Sequence, residues 1–152
     1  MKIAICGAGT VGRGVTQILQ DNQALITART GKAIEITVVA SRSVPTDEIF
    51  KDIAYTADIG SVCARQDVDV VVELMGGTTD AKVLIETALS AGKSVVTANK
   101  ALIAEHGDAL FALATKHEVA LLYEAAVAGS IPIIKVIKES LGGNQVAWLA
   151  GI

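Results

Sequence analysis

The sequence predicts a doubly wound parallel α/β sheet, and three observations carry that prediction. Short β-branched runs alternate with stretches of helical periodicity. The runs are near-continuously apolar, as strands covered on both faces are. The first run feeds straight into a glycine cluster, and a helical pattern follows it.

The elements follow in order. Lys2–Cys6 is the first strand, and a helix of about Val11–Gln20 has Val11, Val15, Ile18 and Leu19 on one face. Asp21–Arg29 adds a further helical turn or two before Gly31, and Ile34–Ala40 is the second strand. Asp69–Leu74 is the third. Thr79–Ala91 places Ala81, Leu84, Ile85, Ala88 and Leu89 on one helical face, and Gly92 stops it. Ser94–Thr97 is the fourth strand. Ala101–His117 reads as a helix interrupted near Gly107, with Leu110, Leu113 and Ala114 towards the sheet. Ala120–Tyr123 is the fifth strand. Pro132 opens a helix of about Ile133–Leu141, Gly142–Gly143 end it, and Gln145–Ile152 reads as a new strand with no turn chemistry after it. The chain looks cut there. This divides it into a main domain, 1–130, and a segment, 131–152, that starts a second one.

Composition excludes several classes. With 152 residues, 51% hydrophobic, and a net charge of −3, the chain can bury a core and is not disordered. Lys and Arg number 13 against 16 Asp and Glu, so a basic nucleic-acid binder is excluded. Mean hydropathy is high at +0.51. The longest apolar stretches, Val68–Met75 and Val119–Ile134, are broken by acids and fall short of the roughly 18–20 residues of a spanning helix. The N-terminal apolar run stops at glycine too early for a secretory signal. Cys6 and Cys63 form no CxxC pair, which suits a reducing cytoplasm.

Gly7-Ala8-Gly9-Thr10-Val11-Gly12 is a G-x-G-x-x-G motif between strand and helix. Gly7 permits the tight turn, Gly9 lets a pyrophosphate approach the backbone, and Gly12 brings helix close to strand; the helix N-terminus offers free N–H groups to phosphate. This is the fingerprint of a Rossmann-type dinucleotide-binding domain, or a structural tight turn that holds no ligand. At the end of the second strand, Ala40-Ser41-Arg42-Ser43 has no acid for a ribose 2′-OH. Arg42 there favours the 2′-phosphate of NADP over NAD, or is a solvated loop charge. Gly76 and Gly77, after the third strand, lie where ligands bind in open sheets, or make a plain turn. After the fourth strand come Ala98-Asn99-Lys100. Asn99 can donate a hydrogen bond and Lys100 can serve a developing oxyanion, or Lys100 is a surface lysine. The apolar stretch after Glu124 suggests backbone carbonyls facing a cation, or a carboxylate hydrogen-bonded to backbone N–H groups. His106 reads as a loop residue, His117 as a charge at a helix C-terminus, and Cys6 as core.

Together, GAGTVGRGV at 7–15, VDVVVELMGG at 68–77, SVVTANKALIAEHG at 94–107 and EAAVAGSIPIIKVIKESLGGN at 124–144 strongly resemble homoserine dehydrogenase, in that family's order. The resemblance implies NAD(P)-dependent interconversion of L-homoserine and L-aspartate 4-semialdehyde, a step towards threonine and methionine. It implies cofactor contacts at Thr10, Val11 and Arg42; the cofactor is NADP, preferred because of Arg42, or NAD. Thr97 and Asn99 join the cofactor set, and Lys100 matches the lysine near nicotinamide and substrate. Glu124, Val127, Gly129 and Ile131 match a sodium-type cation site built largely of backbone oxygens. Family members continue with a substrate and dimerisation domain, so the resemblance implies a cofactor-binding part, inactive alone, of a homodimeric enzyme. Two other readings compete. A non-catalytic nucleotide sensor would need neither Lys100 nor Glu124. Aspartate-semialdehyde dehydrogenase would need a nucleophilic cysteine, which neither Cys6 nor Cys63 is placed to supply.

Overall fold

A computed structural model describes residues 1–150. Six parallel strands form one sheet in the order β3-β2-β1-β4-β5-β6. They are β1 Lys2–Cys6, β2 Glu35–Ala40, β3 Ala54–Thr56, β4 Val70–Glu73, β5 Ser94–Thr97 and β6 Leu121–Leu122. The helices are α1 Thr10–Asp21, α2 Gln23–Thr30, α3 Thr79–Ser90 and α4 Lys100–Lys116, followed by Ile133–Lys135, which runs on as a π-helical turn over Val136–Ser140.

The strands alternate their side chains between two buried faces, which is why they read as continuous apolar runs. Ala4, Cys6, Val38, Ala40, Val71 and Val95 point into one core, filled by α3 and α4. Ile3, Ile5, Val39 and Val72 point into the other, with Phe50 and with Val15 and Leu19 of α1. Helix α3 buries the five residues its periodicity predicts. Leu84, Ile85 and Leu89 each contribute roughly 1.5–3 kcal/mol by leaving water. Gly92, at φ +74°, turns the chain into β5.

Register levels the carboxyl edge of the sheet. Cys6 pairs with Ala40 on one side and Glu73 on the other, and Glu73 pairs with Thr97. Four strands therefore end level. The chain leaves β1 for β2 on one side and reaches β4 on the other, so a crevice opens between the loops above β1 and β4.

Several expectations are corrected. The sequence does not predict strand β3; Ala54-Tyr55-Thr56 is short and becomes a strand by pairing with β2. On α1, Val11 and Ile18 are exposed, and the packed stripe is Gly12, Val15, Thr16 and Leu19. Helix α4 runs through Gly107 without a break, so His106 lies inside a helix and not in a loop. Gly107 is buried against Phe111, where a Cβ would come within 3.3 Å. Gln145–Ala150 forms no strand, because no neighbouring strand offers it a ladder; Gly151–Ile152 lie outside the described residues.

Candidate functional site

A cleft of about 800 Å³ opens at the carboxyl edge of the sheet, lined by residues 7–9, 41–47 and 74–80 with Phe50 and Ile59. Its floor is the glycine turn. Gly7 sits at φ +116°, its N–H donates to Ala40 O at 2.8 Å, and an added Cβ would lie 2.6 Å from Leu74 O. Gly9 caps α1 with no side-chain hydrogen bond, and no acid lies in the first turn. The N–H groups at this terminus have no intrahelical partner and carry the positive end of the helix dipole. A Cβ at Gly9 would meet nothing within 4 Å, so the backbone there lies open to a ligand. Thr10 and Val11 are exposed at the same helix end.

One wall is the loop after β2. Arg42 is exposed within it and lines the cleft. The Tyr55 hydroxyl donates to Ser41 O at 3.0 Å, and the Ser41 hydroxyl to Ser43 O at 2.8 Å, which shapes the turn around Arg42. Arg13 of α1 pairs with Asp47 and ties the far end of the loop to the helix. Asp47 also accepts from Ile49 N–H; that bond first, and the Arg13 guanidinium second, hold its carboxyl below the usual 3.8.

The opposite wall is Leu74–Asp80, with Gly76 and Gly77 at φ +73° and +74°. Two successive left-handed residues require glycine in this turn. Beneath it lies Glu73, fully buried. One carboxylate oxygen accepts from Met75 N–H at 2.8 Å and Gly76 N–H at 3.3 Å; the other accepts from the Thr97 hydroxyl at 2.6 Å. Thr97 Oγ1 in turn accepts from Asn99 N–H. The Asn99 side chain caps α4 through Leu102 N–H and donates to Gly77 O at 2.6 Å. Lys100 is exposed at the first position of α4.

Of the sequence-predicted residues, Thr10 and Val11 stand exposed at the start of α1 outside the cleft lining, and the others fall into three groups. Gly7, Gly9, Arg42, Gly76 and Gly77 line one cleft, with Gly12 packed beneath it. Thr97, Asn99 and Lys100 do not line it but are joined to its wall through Gly77. Glu124, Val127, Gly129 and Ile131 form a separate segment after β6. There the Glu124 carboxylate accepts from Ile134 N–H at 2.8 Å and Lys135 N–H at 2.9 Å, the hydrogen-bonded alternative of the sequence reading. Among the described residues, no three His, Cys, Asp or Glu side chains come together as a metal site. Sequence reasoning assigned no role to Glu73. Its signal is an acid ending a run otherwise covered on both faces, three residues before Gly76-Gly77; where such an acid is buried it must find donors.

This sheet order, glycine turn and cleft define a Rossmann-type domain of the dinucleotide-binding class. The family model for the NAD-binding domain of homoserine dehydrogenase matches residues 7–124. The chain is 47% identical to a homoserine dehydrogenase of Pseudomonas aeruginosa and 44% identical to one of Neisseria gonorrhoeae, in each case over 100% of this chain and 35% of the relative. A crystal structure of homoserine dehydrogenase from Thiobacillus denitrificans superposes with a TM-score of 0.88 at 39% identity, covering 95% of this chain and 34% of that one. A hyperthermophilic archaeal homoserine dehydrogenase in complex with NADPH shares the fold, with a TM-score of 0.76 at 24% identity, covering 93% of this chain and 49% of that one. The chain belongs to the homoserine dehydrogenase family and spans about a third of the length of the curated relatives it matches. No helix among the described residues is long and apolar enough to cross a membrane.

Proposed function

We propose that residues 1–130 bind NADP in preference to NAD, and that the whole protein interconverts L-homoserine and L-aspartate 4-semialdehyde. One observation carries the binding reading: a glycine turn, an uncapped helix N-terminus and an arginine-bearing loop converge on one cleft. When bound, the dinucleotide supplies hydride-transfer chemistry. The N–H groups of Thr10 and Val11 bind its diphosphate at the start of α1. Arg42 pairs with the 2′-phosphate as a charge-assisted donor. Gly76 and Gly77 let backbone approach it. Asn99 orients the start of α4, and Lys100 holds or delivers a proton at the substrate oxygen.

The domain limit rests on burial, since among the described residues both cores are complete by Leu121 and the last buried apolar residue is Ala126. Residues 131–152 lead into the part that binds substrate, and the whole protein is a homodimer formed outside the dinucleotide unit. The donors left for a sodium-type cation are the backbone oxygens of Glu124, Val127, Gly129 and Ile131, because the Glu124 carboxylate is engaged by two N–H groups. Both thiols are free and buried, which suits a cytoplasmic enzyme.

The test is a thermal melt of this chain with NADPH and with NADH. A ligand that binds only the folded state raises the midpoint, and raises it further the tighter it binds. NADPH should raise it further than NADH, and Arg42→Ala should remove that difference. No shift with either dinucleotide overturns the reading. The chain alone should not oxidise homoserine with NADP, because Lys100 is exposed and nothing closes over it.

A further inference from the structure

Glu73 is the one fully buried carboxylate among the described residues, and the chemistry above leaves it without a role. Burying a carboxyl group at a strand end costs free energy that a valine there would not. Val71 and Val72 fill neighbouring positions of the same strand without that cost. The carboxylate must therefore do something that an apolar side chain cannot.

Its hydrogen bonds close a ring. From Glu73 the path runs to the N–H groups of Met75 and Gly76, on to Gly77 O, across to the Asn99 side chain, through Asn99 N–H to Thr97 Oγ1, and back to Glu73. The ring joins the ends of two strands, β4 and β5, that the register holds side by side. One side of it is the Gly76–Gly77 wall of the cleft. The other is the N-terminal cap of α4, which carries Lys100. The loop glycines lack side chains and sit outside regular secondary structure, so Glu73 and Asn99 hold them in place.

We propose that Glu73 is a positioning residue that locks the Gly76–Gly77 wall to the start of α4, so that the two halves of the dinucleotide site keep one relative placement. This rests on the dinucleotide reading and deepens it. A ligand that touches only the cleft needs the wall. A ligand that runs on to α4 needs the wall and α4 in register, so its affinity depends on the whole ring.

The test is a binding titration of this chain and its variants with NADPH, by fluorescence, and with adenosine 2′,5′-bisphosphate, by calorimetry. Apo thermal midpoints are measured alongside. Glu73→Gln replaces an acceptor oxygen with a donor and should weaken NADPH binding about tenfold. Thr97→Val should weaken NADPH but leave the bisphosphate within about threefold, and Thr97→Ser, which keeps the hydroxyl, should stay within about threefold for both. The Glu73→Gln/Thr97→Val double variant should bind NADPH no worse than Glu73→Gln alone, because both break one ring. A purely stabilising Glu73 would lower the apo midpoint and leave affinity unchanged; that result overturns the proposal, as does additivity in the double variant. If Glu73→Gln does not fold, the Thr97 pair decides, and equal NADPH affinity for Thr97→Val and Thr97→Ser overturns it. A parent chain that binds neither NADPH nor NADH overturns the dinucleotide reading and the proposal together. A parent that binds, with Glu73→Gln folded and within about threefold of it, overturns the proposal alone.

Discussion

Two glycines of one helix should respond to alanine in opposite directions. In α1, a Cβ added at Gly12 would lie 1.9 Å from Gly7 O, whereas one added at Gly14 meets nothing within 4 Å. Ordinary contact begins near 3.4 Å, so Gly12→Ala would drive α1 about 1.5 Å from the glycine turn. The obstructing atom is backbone and is held in place, since Gly7 N–H is bonded to Ala40 O. Retreat of the helix would also loosen Val15 and Leu19 from their core. Overpacking of this kind costs about 1–3 kcal/mol. For a chain of this size, 1 kcal/mol moves the melting midpoint by about 3 °C, so a fall of about 3–9 °C is expected. Gly14→Ala should instead gain about 0.5–1 kcal/mol, from the higher helix propensity of alanine. Urea denaturation and thermal melts of the three chains measure both. The packing argument is refuted if Gly12→Ala lies within about 0.5 kcal/mol of the parent, the range of an unremarkable surface change, or if both variants shift the same way.

Three further outcomes follow from buried or paired groups. The Lys93 ammonium donates to Arg65 O and Val68 O, each at 2.7 Å, and Lys93 is 9% exposed. Lys93→Met strands both carbonyls and should cost about 2–4 kcal/mol in urea denaturation; a loss under about 1 kcal/mol would show that water replaces the ammonium. The Asp47 carboxyl is held below its ordinary 3.8, so its folded value lies under its unfolded one. Its stabilisation is then present above the unfolded value and lost as pH falls through the folded one. Asp47→Asn should be less stable than the parent at neutral pH, and the two denaturation curves should converge in acid; a gap that persists there counts against the pairing. The Cys6 thiol is pushed up to about 12, by burial first and then by Cys63 and Glu73. Since the thiolate is the nucleophile, neither buried cysteine should react with Ellman's reagent at pH 8 until denaturant is added. Prompt labelling of the native chain would contradict that burial.

The legible parts of the site are those encoded by neighbours in sequence. Gly7, Gly9 and Gly12 announce themselves because the strand, turn and helix that give them meaning are contiguous. The same holds for Gly76–Gly77 and for Asn99–Lys100, each at the end of a run that reads as a strand. Asn99 was legible as a polar group at a strand end, but not as a side chain turned to Gly77 and to its own helix. Glu73 and Thr97 lie 24 positions apart and meet through the pairing of β4 with β5. No local pattern encodes that contact.

The sequence by itself determined the alternation of strands and helices, the apolar face of α3, the glycine turn and the edge of the sheet on which the cleft opens. These follow from backbone sterics and from periodicities a few residues long. Tertiary structure alone decided the rest. It made a strand of Ala54–Thr56, because β2 had an unpaired edge there, and withheld one from Gln145–Ala150, where no partner stands. It kept α4 continuous through Gly107, because the helix packs that glycine beneath Phe111. It also chose which stripe of α1 faces the core, since the close approach at Gly12 sets how the helix is turned. In each case the deciding free energy belongs to a contact between segments distant along the chain, and hydrogen-bond pairing and packing at such contacts outweigh local preference.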